Sequence, residues 1–213
     1  GGAGFPTHIK IDAKVELVIA NGAECEPLLR AHQLIMASES AKVVLGLKTV
    51  MLATGARRGY IGLKRKYAEA VASLQAAVQA AGGQDVELFF LPDIYPAGDE
   101  QVLVHEVTGR IVPEGGIPLQ VGVVVVNVET LVNIANALEG KPVTDKYITV
   151  GGAVAKPVTL KAPIGMKVRE LIALAGGALV RPYALIDGGP MMGKLTTEDA
   201  PITKTTGGIL VLP

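Results

Sequence analysis

Three short stretches constrain this chain more than anything else in it: VELVIA at Val15–Ala20, VELFFL at Val86–Leu91 and QVGVVVV at Gln120–Val126. A strand with one wet face alternates apolar and polar residues. These are almost continuously apolar, as strands covered on both faces are. The segments between them supply the cover. Residues 31–54 contain no proline and one internal glycine, Gly46, and place Leu34, Ala37, Ala41, Val44, Leu45, Lys48 and Met51 at helical spacing, so they read as a single helix stopped by Gly55. Tyr60–Leu63 reads as a further strand. Over Lys66–Ala81, the residues Tyr67, Val71, Leu74, Val78 and Ala81 share one helical face, and Gly82-Gly83 ends the helix. Asp99–Thr108 and Glu129–Leu138 are helix-like and end at Gly109 and Gly140. Strand–helix alternation over residues 15–140 predicts an open, mostly parallel α/β sheet. Ligands of such sheets bind outside the carboxyl ends of the strands.

The pattern changes after Pro142. YITVGGAV and KPVTLKA read as a hairpin around Ala155, MKVRELIALAGG as a short helix, and YALIDGG and GILVL as two more strands. That order suggests a β-grasp module, so the chain divides into residues 1–140 and 141–213.

The totals exclude some functions. Twenty Lys and Arg balance 20 Asp and Glu, which argues against a nucleic-acid partner, since such partners require a basic face. The single cysteine forms no internal disulfide and cannot alone ligate an iron–sulfur cluster. No apolar run reaches about 18 residues, so no transmembrane helix is expected. No signal peptide is recognisable, and the expected location is a reducing cytoplasm. The chain opens inside a glycine loop with no starting Met and reads as a fragment of something longer.

Three loops carry the candidate chemistry. In GGAGFPTHIK, the glycines Gly1, Gly2 and Gly4 let backbone N–H groups approach a phosphate or a flat ring, with Lys10 to supply charge; an ordinary tight turn is the plainer alternative. In NGAECEP, Glu24 and Glu26 flank Cys25, and alternation sends both carboxylates to one side if the segment is extended. They can bind a metal, act as acid and base, accept hydrogen bonds from a ligand, or simply be solvated. In YPAGDE, Asp99 stands where a helix cap belongs, and Glu100 follows it. Asn127 ends the QVGVVVV strand and either faces a ligand or closes a local turn. GGPMMGK at Gly188–Lys194 resembles a ligand-facing loop, although paired methionines are usually packing. The three histidines show no zinc-ligand spacing. A metal-dependent hydrolase built on Glu24, Glu26, Asp99 and Glu100 remains a competing reading.

In order, GGAGFPT, NGAECEP, YPAGDE, VPEGGIPLQVGVVVVNVET, GGPMMG and KTTGGILVLP resemble the C subunit of Rnf-type electron-transport complexes. The first four are similar, more distantly, to the flavin-bearing 51-kDa subunit of respiratory complex I. GAVAKPVTLKAPIGMKVRELIALAGG and ITKTTGGILVLP resemble most the cobalamin-reductase branch associated with propanediol-utilising microcompartments. The resemblance implies a Rossmann-like domain holding FMN non-covalently, NADH stacked on it as hydride donor, and a soluble-ligand-binding β-grasp domain behind. It also implies electron transfer to 4Fe-4S clusters in a downstream region, onward transfer to a redox partner such as a cobalamin-handling enzyme, and residence in a bacterial microcompartment. Carried over by motif, Gly1, Gly2, Gly4, Lys10, Asn21, Glu24, Cys25, Gly98, Asp99, Asn127 and Thr130 would hold the flavin. Phe5, Glu26 and Glu100 would meet the dinucleotide. Ala23, Val126 and Ile11 stand where the respiratory subunit has Asp, Asn and an aromatic residue. The rival readings are an Rnf-type role between NADH and ferredoxin, and a non-catalytic docking module.

Overall fold

The computed structural model describes residues 4–213. Its first half is α1 (Thr7–Ile11), β1 (Leu17–Asn21), α2 (Ala31–Ser38), α3 (Ser40–Thr54), β2 (Arg58–Lys64), α4 (Ala68–Ala80), β3 (Val86–Leu91), α5 (Glu100–Thr108), a 3-10 turn at Pro118–Val121, β4 (Val123–Asn127) and α6 (Val128–Leu138). The strands form one sheet in the order β3-β2-β1-β4, and every pair is parallel. Both faces are covered, as the apolar runs require. Val18 and Ala20 of β1 pack under α2, α3, α4 and α6, while Ile19 between them faces Leu103 and Val104 of α5.

The sequence reading did not announce α1 and drew β2 shorter, as Tyr60–Leu63; three further differences each have a local reason. The expected single helix breaks at Glu39 into α2 and α3. Ser38 Oγ donates to Leu34 O at 2.8 Å and Ser40 Oγ is engaged by Ser73 Oγ at 2.8 Å, so short hydroxyl side chains compete with the helix there. The first strand begins at Leu17, because the Val15 and Glu16 amides bond Thr54 O and Gly122 O at 3.2 and 2.9 Å. The fourth begins at Val123, because Gln120 lies in the 3-10 turn, where its Oε1 accepts from Ile117 N at 2.9 Å, and Gly122 follows with φ +73°.

Gly46 is the one glycine inside α3, and the space explains it. A Cβ there would run into the backbone of Leu131 on α6. The two helices approach closely enough that only hydrogen fits, which offsets the roughly 1 kcal/mol a mid-helix glycine costs against alanine.

The second half is β5 (Asp145–Gly152), β6 (Val158–Pro163), α7 (Val168–Leu174), β7 (Ala184–Asp187), β8 (Lys194–Thr196) and β9 (Gly208–Leu212). These strands form a mixed sheet in the order β6-β5-β9-β7-β8, with β5 and β9 parallel at its centre. The expected hairpin is β5–β6, and the short β8 is an element the sequence did not announce. Val168, Leu171 and Ile172 of α7 close a separate core against Ile148, Val150 and Ile209.

A buried seam joins the two halves. Glu129 on α6 pairs with Lys146 on β5, and its other oxygen accepts from Tyr147 N at 2.9 Å. Both charged side chains are almost fully enclosed. Tyr147 Oη donates to Glu39 at the α2–α3 break, at 3.0 Å. Burial first, and then that carboxylate, hold the Tyr147 phenol above its ordinary range. Burial raises the Glu39 carboxyl, but hydrogen bonds from Lys42 and Tyr147 outweigh it, and the group ends below its ordinary value.

Candidate functional site

Parallel strands deliver their ends to one edge of the sheet, and the candidate residues follow from that. Asn21 and Asn127 are the last residues of β1 and β4 and stand side by side in the register. Asn21 Nδ2 donates to Gly98 O at 2.8 Å, and its Oδ1 accepts from Ala23 N at 3.2 Å. Gly98 N in turn donates to Cys25 Sγ at 2.9 Å. A Cβ on Gly98 would lie 2.9 Å from Ala23 Cβ and 3.1 Å from Cys25 Sγ, so glycine is what lets these two loops touch. Cys25 is therefore a loop contact in this fold. Asp99 caps α5, accepting from Gln101 N and Val102 N at 2.9 and 3.2 Å.

The first loop closes on the same edge. Lys10 Nζ donates to Glu100 Oε1 and to Val125 O, each at 2.9 Å, and lies 5.8 Å from the Phe5 ring centre. Gly4, with φ +80°, sits against Thr205 of the second half. Gly1 and Gly2 lie outside the described residues. Beside these groups lies a cavity of about 300 Å³, which Asn21, Glu24, Cys25, Gly98 and Asp99 do not line. One wall is Val123–Val126, the mouth carries Phe5, Lys10 and Glu100, and the floor includes Asn127 and Thr130 at the start of α6. It is an apolar slot with a cation, an amide and a hydroxyl gathered at a helix N-terminus. That chemistry suits a flat ring bearing a phosphate tail.

The two carboxylates of NGAECEP do not point the same way, contrary to the expectation from alternation. Glu24 has φ +39°, outside extended geometry, and Leu28 has φ +68°. Glu24 turns inward: its Oε2 accepts from His32 N at 2.7 Å, and the side chain is 6% exposed. Tyr67 Oη holds the loop from below, donating to Ala23 O and Glu24 O at 3.1 and 3.3 Å. Burial and the Glu24 charge push that phenol up, so it stays a donor at neutral pH. Glu26 turns to the second half, where its carboxylate accepts from Met191 N at 3.0 Å and Met192 N at 2.7 Å. Both Glu26 oxygens are engaged by the GGPMMG loop, which leaves that carboxylate the role of a strap. The loop's methionine side chains are 52% and 74% exposed, so they are not packing. Among the described residues, no group of three or more His, Cys, Asp and Glu is placed to hold a metal ion. No described helix is long and apolar enough to cross a membrane.

Sequence reasoning passed over His32. It reaches Asn127, which lines the cavity, with Nε2 3.0 Å from Nδ2. A lone histidine at no recognisable spacing gives no signal; only the register of β1 beside β4 brings it there.

The fold defines a parallel α/β domain with a β-grasp-like appendage, and comparison with known proteins specifies the class. Residues 1–136 match the Nuo51 FMN-binding domain family, and residues 147–195 match the SLBB domain. The chain belongs to the Nuo51 FMN-binding domain family, with an SLBB domain following. Its relatives are oxidoreductases of electron transfer. It is 51% identical over its whole length to the cobalamin reductase PduS of Citrobacter freundii, covering 47% of that protein. It is 41% identical to the C subunit of the Na(+)-translocating ferredoxin:NAD(+) oxidoreductase complex of Acetobacterium woodii, covering 49% of it. The chain thus spans about half the length of these curated relatives. Among solved structures, the air-oxidized NAD+-reducing [NiFe]-hydrogenase superposes with a TM-score of 0.83 at 24% identity, over 99% of this chain and 43% of that one. That likeness establishes the fold.

Proposed function

We propose that the cavity holds FMN non-covalently and that the chain is the flavin end of an NADH-oxidising protein. Electrons would leave through 4Fe-4S clusters carried elsewhere in the whole protein, with cobalamin as the final acceptor. The observation carrying this reading is the convergence of Phe5, Lys10, Glu100, Asn127 and Thr130, from three separate segments of the chain, on one slot at the start of α6. Family membership and the 51% identity to a cobalamin reductase support it.

Bound flavin would supply the exchange between hydride chemistry and single-electron transfer. The protein's residues bind and orient. Lys10 and Thr130 offer a cation and a hydroxyl donor beside the N-terminus of α6, where a phosphate is favoured. Val123–Val126 keep water from one side of the slot. Asn21, Cys25 and Gly98 hold the second and third loops together, so the rim keeps its shape when a ring enters. Phe5 is 56% exposed at the mouth and offers a flat apolar face to a nicotinamide. Glu100, 46% exposed, is available to the dinucleotide's ribose or amide once it parts from Lys10. Glu26 instead straps the second half to the site loop.

The test is spectroscopic. The chain, extended at its N-terminus through the whole glycine loop, is mixed with FMN, dialysed and scanned in the visible, then given NADH without air. Retained flavin absorbance that bleaches on NADH is expected. A folded sample that retains no flavin overturns the reading.

The 41% identity to a component of a ferredoxin:NAD(+) oxidoreductase complex favours a second reading, in which the same site serves a membrane assembly. Co-purification of membrane proteins with the whole protein would select it. A cytoplasmic location, inside a microcompartment in the first reading, is part of the same proposal.

A further inference from the structure

The Asn127 side chain has four hydrogen-bonding positions, and the structure accounts for two. Its Oδ1 accepts from Glu129 N at 3.0 Å, capping α6. This fixes which end of the amide is oxygen, so the group 3.0 Å from His32 Nε2 is an NH2. An NH2 donates only, so His32 Nε2 must accept. The ring proton of neutral His32 then sits on Nδ1. That nitrogen is buried with no hydrogen-bond partner and stands 3.6 Å from Glu24 Oε1, a carboxylate enclosed in the β1–α2 loop. The second hydrogen of Nδ2, and with it the second lone pair of Oδ1, remains for the cavity that Asn127 lines.

We propose that His32 is a positioning residue: as the neutral Nδ1–H tautomer, with Nδ1 facing Glu24, it orients the Asn127 amide so that one N–H faces the ligand. Its consequence for ligand affinity rests on the flavin reading above; the tautomer and the orientation do not. Protonation of Nε2 turns the acceptor into a donor facing a donor. Asn127 cannot flip to answer it without uncapping α6. The other charged groups are already committed. Beyond Asn127, Glu129 is engaged by Lys146 and Tyr147 N. Across the cavity, Lys10 and Glu100 engage each other, and behind Glu24 the Tyr67 phenol stays neutral. Acid therefore loosens the floor of the slot through His32, and ligand that accepts from Asn127 favours the neutral ring.

The experiment uses the same extended chain, as wild type, His32→Gln and His32→Leu. Glutamine can accept from Asn127 through its oxygen and donate toward Glu24 through its nitrogen, without titrating. In 15N-labelled protein free of flavin, imidazole correlations should show His32 as the Nδ1–H tautomer. The Asn127 side-chain amide signals should move between about pH 8 and pH 5 in wild type and stay still in His32→Gln. FMN affinity should fall over the same range in wild type. His32→Leu should weaken it about tenfold at pH 8, the loss of one hydrogen bond, and His32→Gln should restore most of that without the pH step. An Nε2–H tautomer, or Asn127 signals that titrate alike in wild type and His32→Gln, overturns the inference. FMN bound with one pH profile in both proteins overturns it and leaves the flavin reading standing. No FMN binding with the tautomer and amide shifts as stated overturns the flavin reading and leaves this inference standing.

Discussion

The seam between the two halves and the mouth of the cavity are each closed by a lysine and a glutamate, and the two pairs behave as different objects. At the seam, Lys146 and Glu129 are 6% and 3% exposed, and Glu129 also takes the amide of Tyr147. At the mouth, Lys10 and Glu100 are 22% and 46% exposed. Burial makes the first pair costly to form and costlier to break, because a lone charge left inside has no water to answer it. Exposure makes the second worth about 1 kcal/mol or less, so it can be traded for a ligand. The same two residue types thus fasten one region and leave the other open to exchange.

Glu129→Ala, which strands Lys146, puts that contrast to its hardest test. It should cost about 3–5 kcal/mol of stability in urea melts, and the double change Glu129→Gln with Lys146→Met should recover most of it. If Glu129→Ala costs no more than Glu100→Ala, the contrast between the regions is wrong. Next comes the strap. Glu26→Ala leaves the Met191 and Met192 amides without their carboxylate and should cost about 1–3 kcal/mol, with faster hydrogen exchange in the GGPMMG loop. Lys10→Met should weaken FMN about tenfold or more by removing one charge-assisted contact, while leaving the melting temperature nearly unchanged. Glu100→Gln should shift stability by under about 1 kcal/mol and affect NADH oxidation rather than flavin retention.

A last and weakest effect extends the contrast to the second half. Asp187, at the end of β7, is held above its ordinary value by burial, against the opposing hydrogen bond from Thr206 Oγ1 at 3.0 Å and the charge of Lys146. A raised folded-state value makes the contribution to stability fully present below about pH 3.9, the unfolded value, and lost as pH rises through the folded one. Asp187→Asn should therefore be at least as stable as wild type at pH 7 and lose that advantage near pH 3. Melting curves at both values check it.

Much of the fold was legible along the chain, because strands buried on two faces must be apolar throughout, and Val18–Ala20 and Val123–Val126 are. The site was half legible. Asn21, Gly98 and Asn127 follow strands of a parallel sheet, which puts them on one edge, and Lys10 and Glu100 do meet there. The helix break at Glu39 was not legible, since it depends on Ser73 of another helix engaging Ser40. Nor was the reason for Gly46, which is the backbone of Leu131.

Residue order alone settles most of the strands, which edge collects the loops and which family the motifs belong to, because periodicity and short motifs are local properties. Packing in three dimensions was needed to part Glu24 from Glu26, one to His32 and one to Met191 and Met192, and to set His32 between Glu24 and Asn127. Those outcomes turn on a left-handed residue at Glu24 and on partners up to 166 positions away. No local pattern encodes contacts at that separation; they form only when the two sheets dock.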